Sequence, residues 1–427
     1  MKNLIIKLFN MEPSDIEDLD IISCGNEMFA TITLSVRPMP CPFCGNLSRQ
    51  VHDYYKRKLN HSVLAENHLN LTYNRRRYFC IPCQKAFPER NPFASPGKRI
   101  SNATVLRVMR LLLKPTFTFS DVASLTGLSI TSVIRVFDEH AGIKTIPFPR
   151  CLCIDEVYVS KYLRHAYSCV LLDFDTGGIY DLVDSRKKAD LSLYFSSIPK
   201  SYRHSVKFVS MDMWDTYRDL ATIYFPNAVI CVDSFHVIKT INYAFDCVRI
   251  RIMKEFEHDT EEYRLLKKYH WLLKTSRDKV ELEKILNLNK HYDIIGSKHI
   301  SQESLINRLL EISPELELAY TLKTDYSYIN SNATYQNIAN YLDKYIEDIR
   351  IFNIPEFVAA AKTLNNWRQE IINSFIDYNG RRISNGPIES MNSRIKKIKR
   401  NANGYHNFYR FKLRCMYSLN EGSSIKF

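Results

Sequence analysis

Three aspartates and a histidine stand where the sequence passes from apolar runs into polar residues. Asp155 follows the run CLCI, and Asp212 ends the run VKFVSMD. Asp233 ends AVICVD and begins an Asp-x-x-His pattern that includes His236. A carboxylate next to an apolar strand is unfavourable unless it is paired or binds a cation. These positions therefore indicate a cation site or a set of ion pairs.

Glu389 is the single acid in residues 384–414, a segment that holds eight lysines and arginines. Pro387 suits the first position of a helix, with Gly386 or Asn385 as its cap. On this predicted helix, an apolar stripe of Ile388, Met391, Ile395 and Ile398 lies beside a polar stripe of Glu389, Asn392, Lys396 and Lys399. A metal ion at Glu389 would thus lie beside a row of cations suited to a DNA backbone.

Two strand aspartates and one helix glutamate form the ligand set for two Mg²⁺ ions in RNase H-like nuclease cores. Oxygen ligands suit Mg²⁺, and two ions about 4 Å apart activate the attacking oxygen and stabilise the leaving oxygen of a displacement. For any single acid among the 46 in the chain, a helix cap or a salt bridge is the more common role. As a set, Asp155, Asp212 and Glu389 predict a catalytic Mg²⁺ site.

Four of the eleven cysteines form two CxxC pairs, in CPFCG and CIPC. Cys41, Cys44, Cys80 and Cys83 can supply the four thiolates of one structural Zn²⁺ site. Four unrelated buried thiols are the alternative, and the paired spacing favours zinc. The scattered remaining cysteines are typical of a cytosolic protein without a disulfide framework.

The segment FTFSDVASLTGLSITSVIRVFDEH predicts two short helices, capped by Ser120 and Ser129 and separated by a turn at Gly127. The second helix would pack through Ile130, Val133, Ile134 and Phe137. Its outward-facing residues, placed like those of a recognition helix in the major groove of DNA, would be Thr131, Ser132 and Arg135. Any helical hairpin gives this pattern, so it indicates DNA binding only together with the zinc site and a basic charge.

The net charge of +13 and a pI near 9.1 indicate a polyanionic partner, nucleic acid before a membrane surface. No uncharged apolar run of about 18 residues predicts a membrane span, and residues 1–20 do not have the pattern of a secretory signal. Candidate DNA contacts are Arg75, Arg76 and Arg77 in NRRRYFC, together with Asn392 and the basic group Arg394, Lys396, Lys397, Lys399 and Arg400. For the three arginines, a solvated surface is nearly as good an explanation.

The residue patterns divide the chain into five regions. Residues 1–95 predict a zinc-ribbon domain, and residues 96–148 a helix-turn-helix domain. Residues 149–240 alternate between strands and helices, and DTGG within them predicts an antiparallel hairpin. Residues 241–365 predict a heavily charged helical block, and residues 366–427 a helical and basic last region. The alternation of strands and helices in residues 149–240 predicts an α/β fold class for the central part of the chain.

The chain resembles the transposases of bacterial insertion sequences, in particular the ISL3 type, over nearly its whole length. The resemblance rests on CPFCG…CIPC, CIDEVYV, VSMDMWDTYRDLATIYFPNAVICVDSFHVIK and residues 384–414. It implies an RNase H-like core of the retroviral-integrase type, in which residues 241–365 form an all-helical insertion and residues 366–427 form the last part of the core with a basic tail. It also implies a DNA transposase whose zinc ribbon and helix-turn-helix bind the inverted repeats at the ends of the element. An Asp-Asp-Glu domain with two Mg²⁺ ions, or Mn²⁺, would cleave a strand, and the freed 3′-OH would then attack target DNA.

The resemblance also implies that Asp155, Asp212 and Glu389 form the catalytic triad, with Asp233 and His236 as accessory residues. Asp233 in place of Asp212 remains an alternative second ligand. The implied partners are double-stranded DNA and further copies of the chain, in the bacterial cytoplasm at the nucleoid. The key positions follow the family pattern and both termini look complete, which favours an active copy.

Three other classes of function are compatible with parts of the sequence. A DNA-binding regulator would use the ribbon and helix-turn-helix beside a spent catalytic domain. An RNase H-fold nuclease would cut without the element's ends and would not join strands. A scaffold built on the helical insertion would have no metal-dependent activity. The complete set of acids favours the transposase.

Overall fold

The structure is a computed structural model that describes residues 11–25, 27–64, 67–144, 146–288 and 291–426. The expectation that no secretory signal begins the chain concerns mainly residues 1–10, which lie outside the described residues. None of the described helices is both long and apolar enough to cross a membrane.

The strands are β1 (Ile16–Cys24), β2 (Glu27–Leu34), β3 (Met39–Pro40), β4 (Leu47–Ser48), β5 (Val51–Leu64), β6 (Asn67–Cys80), β7 (Lys85–Pro88), β8 (Ala141–Gly142), β9 (Cys151–Tyr158), β10 (Tyr167–Asp173), β11 (Ile179–Val183), β12 (Phe208–Met211), β13 (Val229–Val232), β14 (Ile285–Asn287), β15 (His299–Ser301), β16 (Asp377–Tyr378), β17 (Arg381–Arg382) and β18 (Ser424–Ile425). The helices are α1 (Asn102–Leu112), α2 (Phe119–Thr126), α3 (Ile130–His140), α4 (Lys188–Ser197), α5 (Lys200–His204), α6 (Asp215–Tyr224), α7 (Ser234–Glu255), α8 (Glu261–Lys268), α9 (His270–Lys274), α10 (Gln302–Leu310), α11 (Pro314–Asn332), α12 (Ile338–Phe352), α13 (Pro355–Asn366), α14 (Arg368–Asn373), α15 (Gly386–Asn401) and α16 (Phe408–Leu419).

The chain forms two compact units. The first comprises Met1–Thr145, Val159–Arg164 and Ser393–Phe427, and the second comprises Ile146–Tyr158 and His165–Asn392. Helix α15 begins in the second unit and ends in the first.

The first unit contains a sheet in the order β1-β2-β6-β5, with β7 paired to β6. Strands β5 and β6 form a long antiparallel hairpin, and β2 runs parallel to β6. In the alternating sequence MFATITL, Ala30 and Ile32 point into the core while Phe29 is exposed. The sheet therefore buries one face in an apolar cluster that also contains Leu71 and Tyr73.

Helices α1 to α3 follow the sheet and form the expected helix-turn-helix. The cap predicted at Ser120 is wrong, because α2 is capped by Thr118 in a reciprocal pair with Asp121, which leaves Ser120 inside the helix. Gly127 ends α2 with φ +68°, a left-handed conformation that glycine adopts readily. The cap at Ser129 is confirmed, since its side chain accepts the Ser132 N–H.

The core of the helix-turn-helix differs from the predicted core in two respects. Val133 and Phe137 are fully buried as expected. Ile134 is only half-buried and Ile130, the first residue of α3, is 48% exposed, and neither belongs to the cluster. The last helix of the chain, α16, inserts Leu413 and Tyr417 into this cluster. The sequence assigned residues 366–427 to the catalytic core and did not predict this packing.

Arg414 anchors α16 to the helix-turn-helix. Its guanidinium is almost completely buried and donates to the carbonyl oxygens of Leu112 at 2.6 Å, Lys114 at 3.0 Å and Phe117 at 2.9 Å. These oxygens follow the C-terminal end of α1, where the helix leaves its last carbonyls without backbone partners. The buried Arg414 guanidinium therefore supplies hydrogen bonds to carbonyl oxygens at the end of α1 and holds the segment that connects α1 to α2.

The second unit contains a five-stranded sheet in the order β11-β10-β9-β12-β13. Strand β10 is antiparallel to both β9 and β11, which confirms the hairpin predicted at DTGG. Strand β12 is parallel to β9 on one side and to β13 on the other. Helices α4 and α6 pack on the sheet, and the block from α7 to α14 shares the same core cluster. The insertion was expected to be all-helical, but this block also contains the antiparallel strand pair β14–β15.

The register of the three parallel strands decides where the aspartates lie. Met211 of β12 pairs with Ile154 of β9 and with Val232 of β13. The residue after each of these three is Asp155, Asp212 or Asp233. The aspartates therefore stand in one row at the carboxyl edge of the sheet, with Asp212 in the middle.

Replacing Arg414 by methionine is expected to lower the free energy of unfolding of the first unit by about 2–4 kcal/mol, because three carbonyl oxygens lose their donor. The midpoint of its calorimetric transition measures this loss. Tyr409→Ala, at an exposed position of the same helix, is the control and should change the free energy by only about 0.5 kcal/mol. Equal effects of the two substitutions would contradict the anchoring role of Arg414.

Candidate functional site

The four paired cysteines meet in the first unit. Their sulfur atoms all lie within 4.8 Å of one another, with Cys41 and Cys83 at 3.6 Å and Cys44 and Cys80 at 3.5 Å. The Phe43 N–H points at the Cys41 sulfur at 3.4 Å, as a thiolate-binding turn requires. Four convergent sulfurs match the donor set of a structural Zn²⁺ ion.

The three consecutive arginines of β6 have different surroundings. Arg76 is fully buried and its guanidinium is used inside the ribbon, where it contacts Glu17 at 3.2 Å. Arg77 is exposed and forms a paired contact with Asp53. Arg75 is half-buried and donates to a backbone carbonyl oxygen, so the three cannot be treated as one phosphate-binding face.

The outward positions predicted for α3 are largely accessible. Thr131 and Arg135 are exposed, and Ser132 is half-buried with its hydroxyl bonded to Ser129 at 2.9 Å. In the basic group on α15, Lys399 is half-buried and the other four side chains are exposed: Arg394, Lys396, Lys397 and Arg400. Burial and the neighbouring cations lower the pKa of Lys399. The surface there carries a high density of positive charge.

Asp155 and Asp212 occupy neighbouring positions on adjacent parallel strands, close enough for their charges to interact. Burial, and then the charge of Asp212, raise the pKa of Asp155 to about 7. Burial also raises the pKa of Asp212 to about 6, although the charge of His236 opposes the shift. The fold thus holds two desolvated carboxylates side by side, an arrangement that a bound cation would stabilise.

Asp233 and His236 lie beside this pair at the start of α7. The Nε2 atom of His236 is 3.1 Å from Asp212 Oδ2, and its Nδ1 atom is 3.4 Å from Asp233 Oδ2. The contact with Asp233 raises the pKa of His236 against the opposing effect of burial. Asp233 is only 2% exposed and lies two strands from Asp155. His236 therefore links the two aspartates, with Asp233 on the buried side.

Helix α15 crosses the carboxyl edge of the sheet and contacts Asp155 directly. The Asn392 amide, 4% exposed, donates to Asp155 Oδ2 at 2.6 Å. Glu389 lies in the first turn, three residues before Asn392 on the same side of the helix, and is exposed. The apolar stripe is confirmed, since Ile388, Met391, Ile395 and Ile398 are all buried. Asn392 was predicted to face DNA, and the structure places it among the carboxylates instead.

Asn385 is the residue that the sequence undervalued, since only a capping role was assigned to it. It is 1% exposed, and its side-chain amide donates to Asp212 Oδ1 at 3.2 Å while its oxygen accepts the Ser210 hydroxyl at 2.7 Å. Its backbone N–H donates to Asp233 Oδ1 at 3.0 Å. The spacing from Asn385 to Glu389 and Asn392 puts all three on one side of α15. No local sequence signal distinguishes such a buried link from an ordinary helix cap.

Within the described ranges, the four cysteines are the only group of three or more His, Cys, Asp or Glu residues whose ligand atoms lie within 4.8 Å of one another. The carboxylate oxygens of Asp155, Asp212 and Glu389 do not all lie within 4.8 Å of one another. Their chemistry nevertheless fits a divalent cation, because the two aspartates are desolvated oxygen donors. Buried oxygens without a hydrogen bond, Oδ2 of Asp233 and Oδ1 of Asn392, border the same place.

The raised pKa of Asp155 predicts a specific pH dependence for the metal-free protein. In the unfolded chain the pKa is about 3.9, so the folded state binds this proton more tightly and the stability that it contributes falls as the pH rises from about 4 towards 7. Asp155→Asn has no carboxyl proton at this position, so its unfolding free energy should not show this decrease. Between pH 5 and pH 8, the unfolding free energy of the variant minus that of the wild type should therefore rise by about 2 kcal/mol.

Chemical denaturation at a series of pH values without divalent ions measures this difference. Asp219→Asn, at an exposed carboxylate paired with Lys188, is the control and should show no such gain. Parallel pH curves for the wild type and the Asp155 variant would contradict the burial of that charge.

Two substitutions at Asn385 separate the loss of its hydrogen bonds from the effect of charge. Asn385→Ala is expected to lower the unfolding free energy by about 2 kcal/mol, since Ser210 and Asp212 lose a buried partner. Asn385→Asp has nearly the same shape, yet it should destabilise more, because it adds a carboxylate beside Asp212 and Asp233. Thermal unfolding at pH 8 measures both, with the exposed Asn340→Asp as the control. Equal losses for the two Asn385 variants would argue against a crowded set of charges.

Three family models match the chain. A transposase model of the ISL3 group matches residues 152–415. A model for the zinc-finger of transposase IS204/IS1001/IS1096/IS1165 matches residues 37–83, and one for the helix-turn-helix domain of transposase family ISL3 matches residues 89–141.

Similar proteins are found among transposases of two bacteria. The chain is 22% identical over 405 residues to the transposase for insertion sequence element IS1001 of Bordetella parapertussis. The alignment covers 91% of this chain and 92% of that protein. The chain is 25% identical over 284 residues to the transposase for insertion sequence element IS1557 of Mycobacterium tuberculosis, covering 64% of this chain and 61% of that protein. A shorter match, 32% identical over 130 residues and 30% of this chain, is to a Lactococcus lactis protein described as an ATP-dependent protease. Because the transposase model matches more than half of the chain, the protein belongs to the ISL3 family of insertion-sequence transposases.

Proposed function

We propose that the protein cleaves DNA at the ends of its insertion sequence and joins the freed ends to target DNA, with Asp155, Asp212 and Glu389 as the metal-binding triad. The observation that carries this proposal is the placement of α15 on the row of strand aspartates. Asn385 fixes the start of the helix to Asp212, and Asn392 fixes its second turn to Asp155. Glu389 lies between these two contacts in sequence.

The strand order supports an RNase H-like core for the second unit. Its central strand β9 is antiparallel to β10 and parallel to β12, and the carboxylates follow β12 and lie on β9. Asp212 is preferred to Asp233 as the second ligand for a geometric reason. Adjacent parallel strands are about 4.8 Å apart, so Asp212 is one strand from Asp155 and Asp233 is two. Asp233 is also the more deeply buried of the two.

Mg²⁺ ions bound by the triad would supply activation of the attacking oxygen and stabilisation of the leaving oxygen. The protein's own residues orient the carboxylates for this task. Asn385 and His236 each contact one oxygen of Asp212, while Asn392 and the Glu156 N–H each contact one oxygen of Asp155. The carboxylates of Asp155 and Asp212 therefore have fixed orientations before a metal ion binds.

An ion held by all three acids would bring their oxygens to within about 4.2 Å of one another, given Mg–O distances of about 2.1 Å. The triad is wider than this in the metal-free protein. Glu389 is exposed on the first turn of α15, so its side chain has room to close that distance by a change of rotamer.

The remaining parts of the proposal concern DNA. Outward residues of α3 (Thr131 and Arg135) would read the element ends, and the exposed cations of α15 would hold phosphates, so that affinity falls as salt rises. Pairing two ends of one element requires two copies of the active site, and we therefore propose a homo-oligomer on DNA.

Replacement of a triad member should abolish chemistry and spare DNA binding. Loss of a residue that merely orients a metal ligand lowers activity about 10–100-fold, so Asp155→Asn, Asp212→Asn and Glu389→Gln should each lower end cleavage by more than about 100-fold. Cleavage of a labelled end fragment with Mg²⁺ measures this, and a gel-shift titration measures end binding. Asp219→Asn is the matched control and should cleave normally.

Each rival gives a different result in the same assay. Wild-type protein that binds ends but never cuts them would indicate a regulator. Cutting that ignores the end sequence and never joins strands would indicate a nuclease. If Asp233→Asn abolished cleavage and Asp212→Asn did not, the assignment of the second ligand would be wrong.

A further inference from the structure

A basic groove of about 800 Å³ lies within the first unit. It is bordered by the ribbon strands β2, β5 and β6 and by the segment that leads into α1. Four of its lining residues are arginines, namely Arg37, Arg57, Arg75 and Arg90. They come from four separate places in the sequence, and only Arg57 and Arg75 belong to runs of basic residues.

Hydrogen bonds hold two of these arginines without neutralising their charge. Arg75 donates from Nε to the Glu89 carbonyl oxygen at 2.6 Å, and Arg57 donates from Nη2 to the Lys98 carbonyl oxygen at 3.2 Å. A carbonyl orients a guanidinium but carries no countercharge. Arg90 is exposed, and within the described part of the chain it makes no hydrogen bond or ion pair.

The two acids that line the groove, Asp15 and Glu89, form no ion pair with Arg57 or Arg90. Asp15 is paired with the fourth arginine, Arg37. The Glu89 side chain is 6% exposed and turned inward, where it accepts the Tyr73 hydroxyl and lies 3.7 Å from Arg76. The groove therefore carries an excess of positive charge from Arg57 and Arg90, together with Arg75, whose charge Glu89 offsets in part.

Arg77 illustrates the contrast on the same strand. It is exposed but its charge is matched by Asp53, with Nε 2.7 Å from Oδ1. Three guanidinium groups around one groove, two of them oriented by carbonyl oxygens, suit a chain of phosphates, because the planar donor fork matches phosphate oxygens.

We propose that this groove binds the phosphodiester backbone of DNA through Arg57, Arg75 and Arg90. The proposal rests on the proposed transposase function, and it assigns to the ribbon a contact that positions DNA without reading its sequence. The orienting partners are backbone carbonyls of the ribbon and of the segment before α1, so both elements would contact the same stretch of DNA.

The test uses full-length protein and measures DNA affinity across a range of salt concentrations. Each lost phosphate contact should reduce the slope of log K against log salt by about 0.9, which corresponds to about eightfold weaker binding at 0.1 M salt. We expect this for Arg57→Gln and for Arg90→Gln, equally on element ends and on unrelated DNA. Arg57→Lys and Arg90→Lys keep the charge and should retain most of the slope.

The control is Arg350→Gln, which removes one charge at an exposed position already paired with Glu347. Unchanged zinc content and melting temperature verify that each variant is folded. If Arg57→Gln and Arg90→Gln have the same slope as Arg350→Gln, the groove does not bind DNA, whatever the protein's activity. Failure of the wild type to cleave its ends would instead refute the proposed function and leave the groove to be judged by the slopes alone.

Discussion

In the second unit, aspartate side chains are buried at one edge of the sheet, where burial makes their negative charge unfavourable. Register places Asp155, Asp212 and Asp233 in one row after paired residues of three parallel strands. The desolvated state of the first two raises their pKa values well above those of exposed carboxylates. A protein selected only for stability would not keep such a row, since neutral residues of similar size fit the same places. The arrangement is explained if a cation belongs there.

The helix that closes the site is fixed by amides and by apolar packing. Asn385 and Asn392 each donate to a different aspartate, and the stripe that includes Ile388 and Ile395 holds the helix against apolar neighbours. Amides can orient carboxylates without neutralising them, so the negative charge remains available to a metal ion. Glu389 is carried on the same side of the helix but stays exposed.

The first unit shows how distant parts of the chain complete one domain. Helix α16, near the end of the chain, fills the core of a helix-turn-helix that begins some three hundred residues earlier, and Arg414 satisfies the carbonyls at the end of α1. The helix-turn-helix therefore depends on the C-terminal segment for part of its stability. Truncation before α16 would therefore destabilise the helix-turn-helix.

Sequence patterns predicted the parts of this architecture that are local. Paired spacing located Cys41 and Cys80 in one cluster, and the position of Asp155 after an apolar strand marked it as unusual. Patterns failed where long-range packing decides the outcome. The burial of Arg76 and Asn392 depends on neighbours from other elements, and nothing in NRRRYFC distinguishes its middle arginine from the other two. The linking role of Asn385 was hidden for the same reason, since an asparagine before a helix is ordinarily a cap.

The cation proposed for this edge of the sheet can be located by anomalous diffraction from crystals grown with Mn²⁺ and a DNA end. The proposed triad predicts anomalous peaks bound by oxygens of Asp155 and Asp212, with the Glu389 side chain turned towards them. Peaks coordinated by Asp233 without Asp212, or no peak at this edge while the four cysteines hold zinc, would contradict the proposed triad.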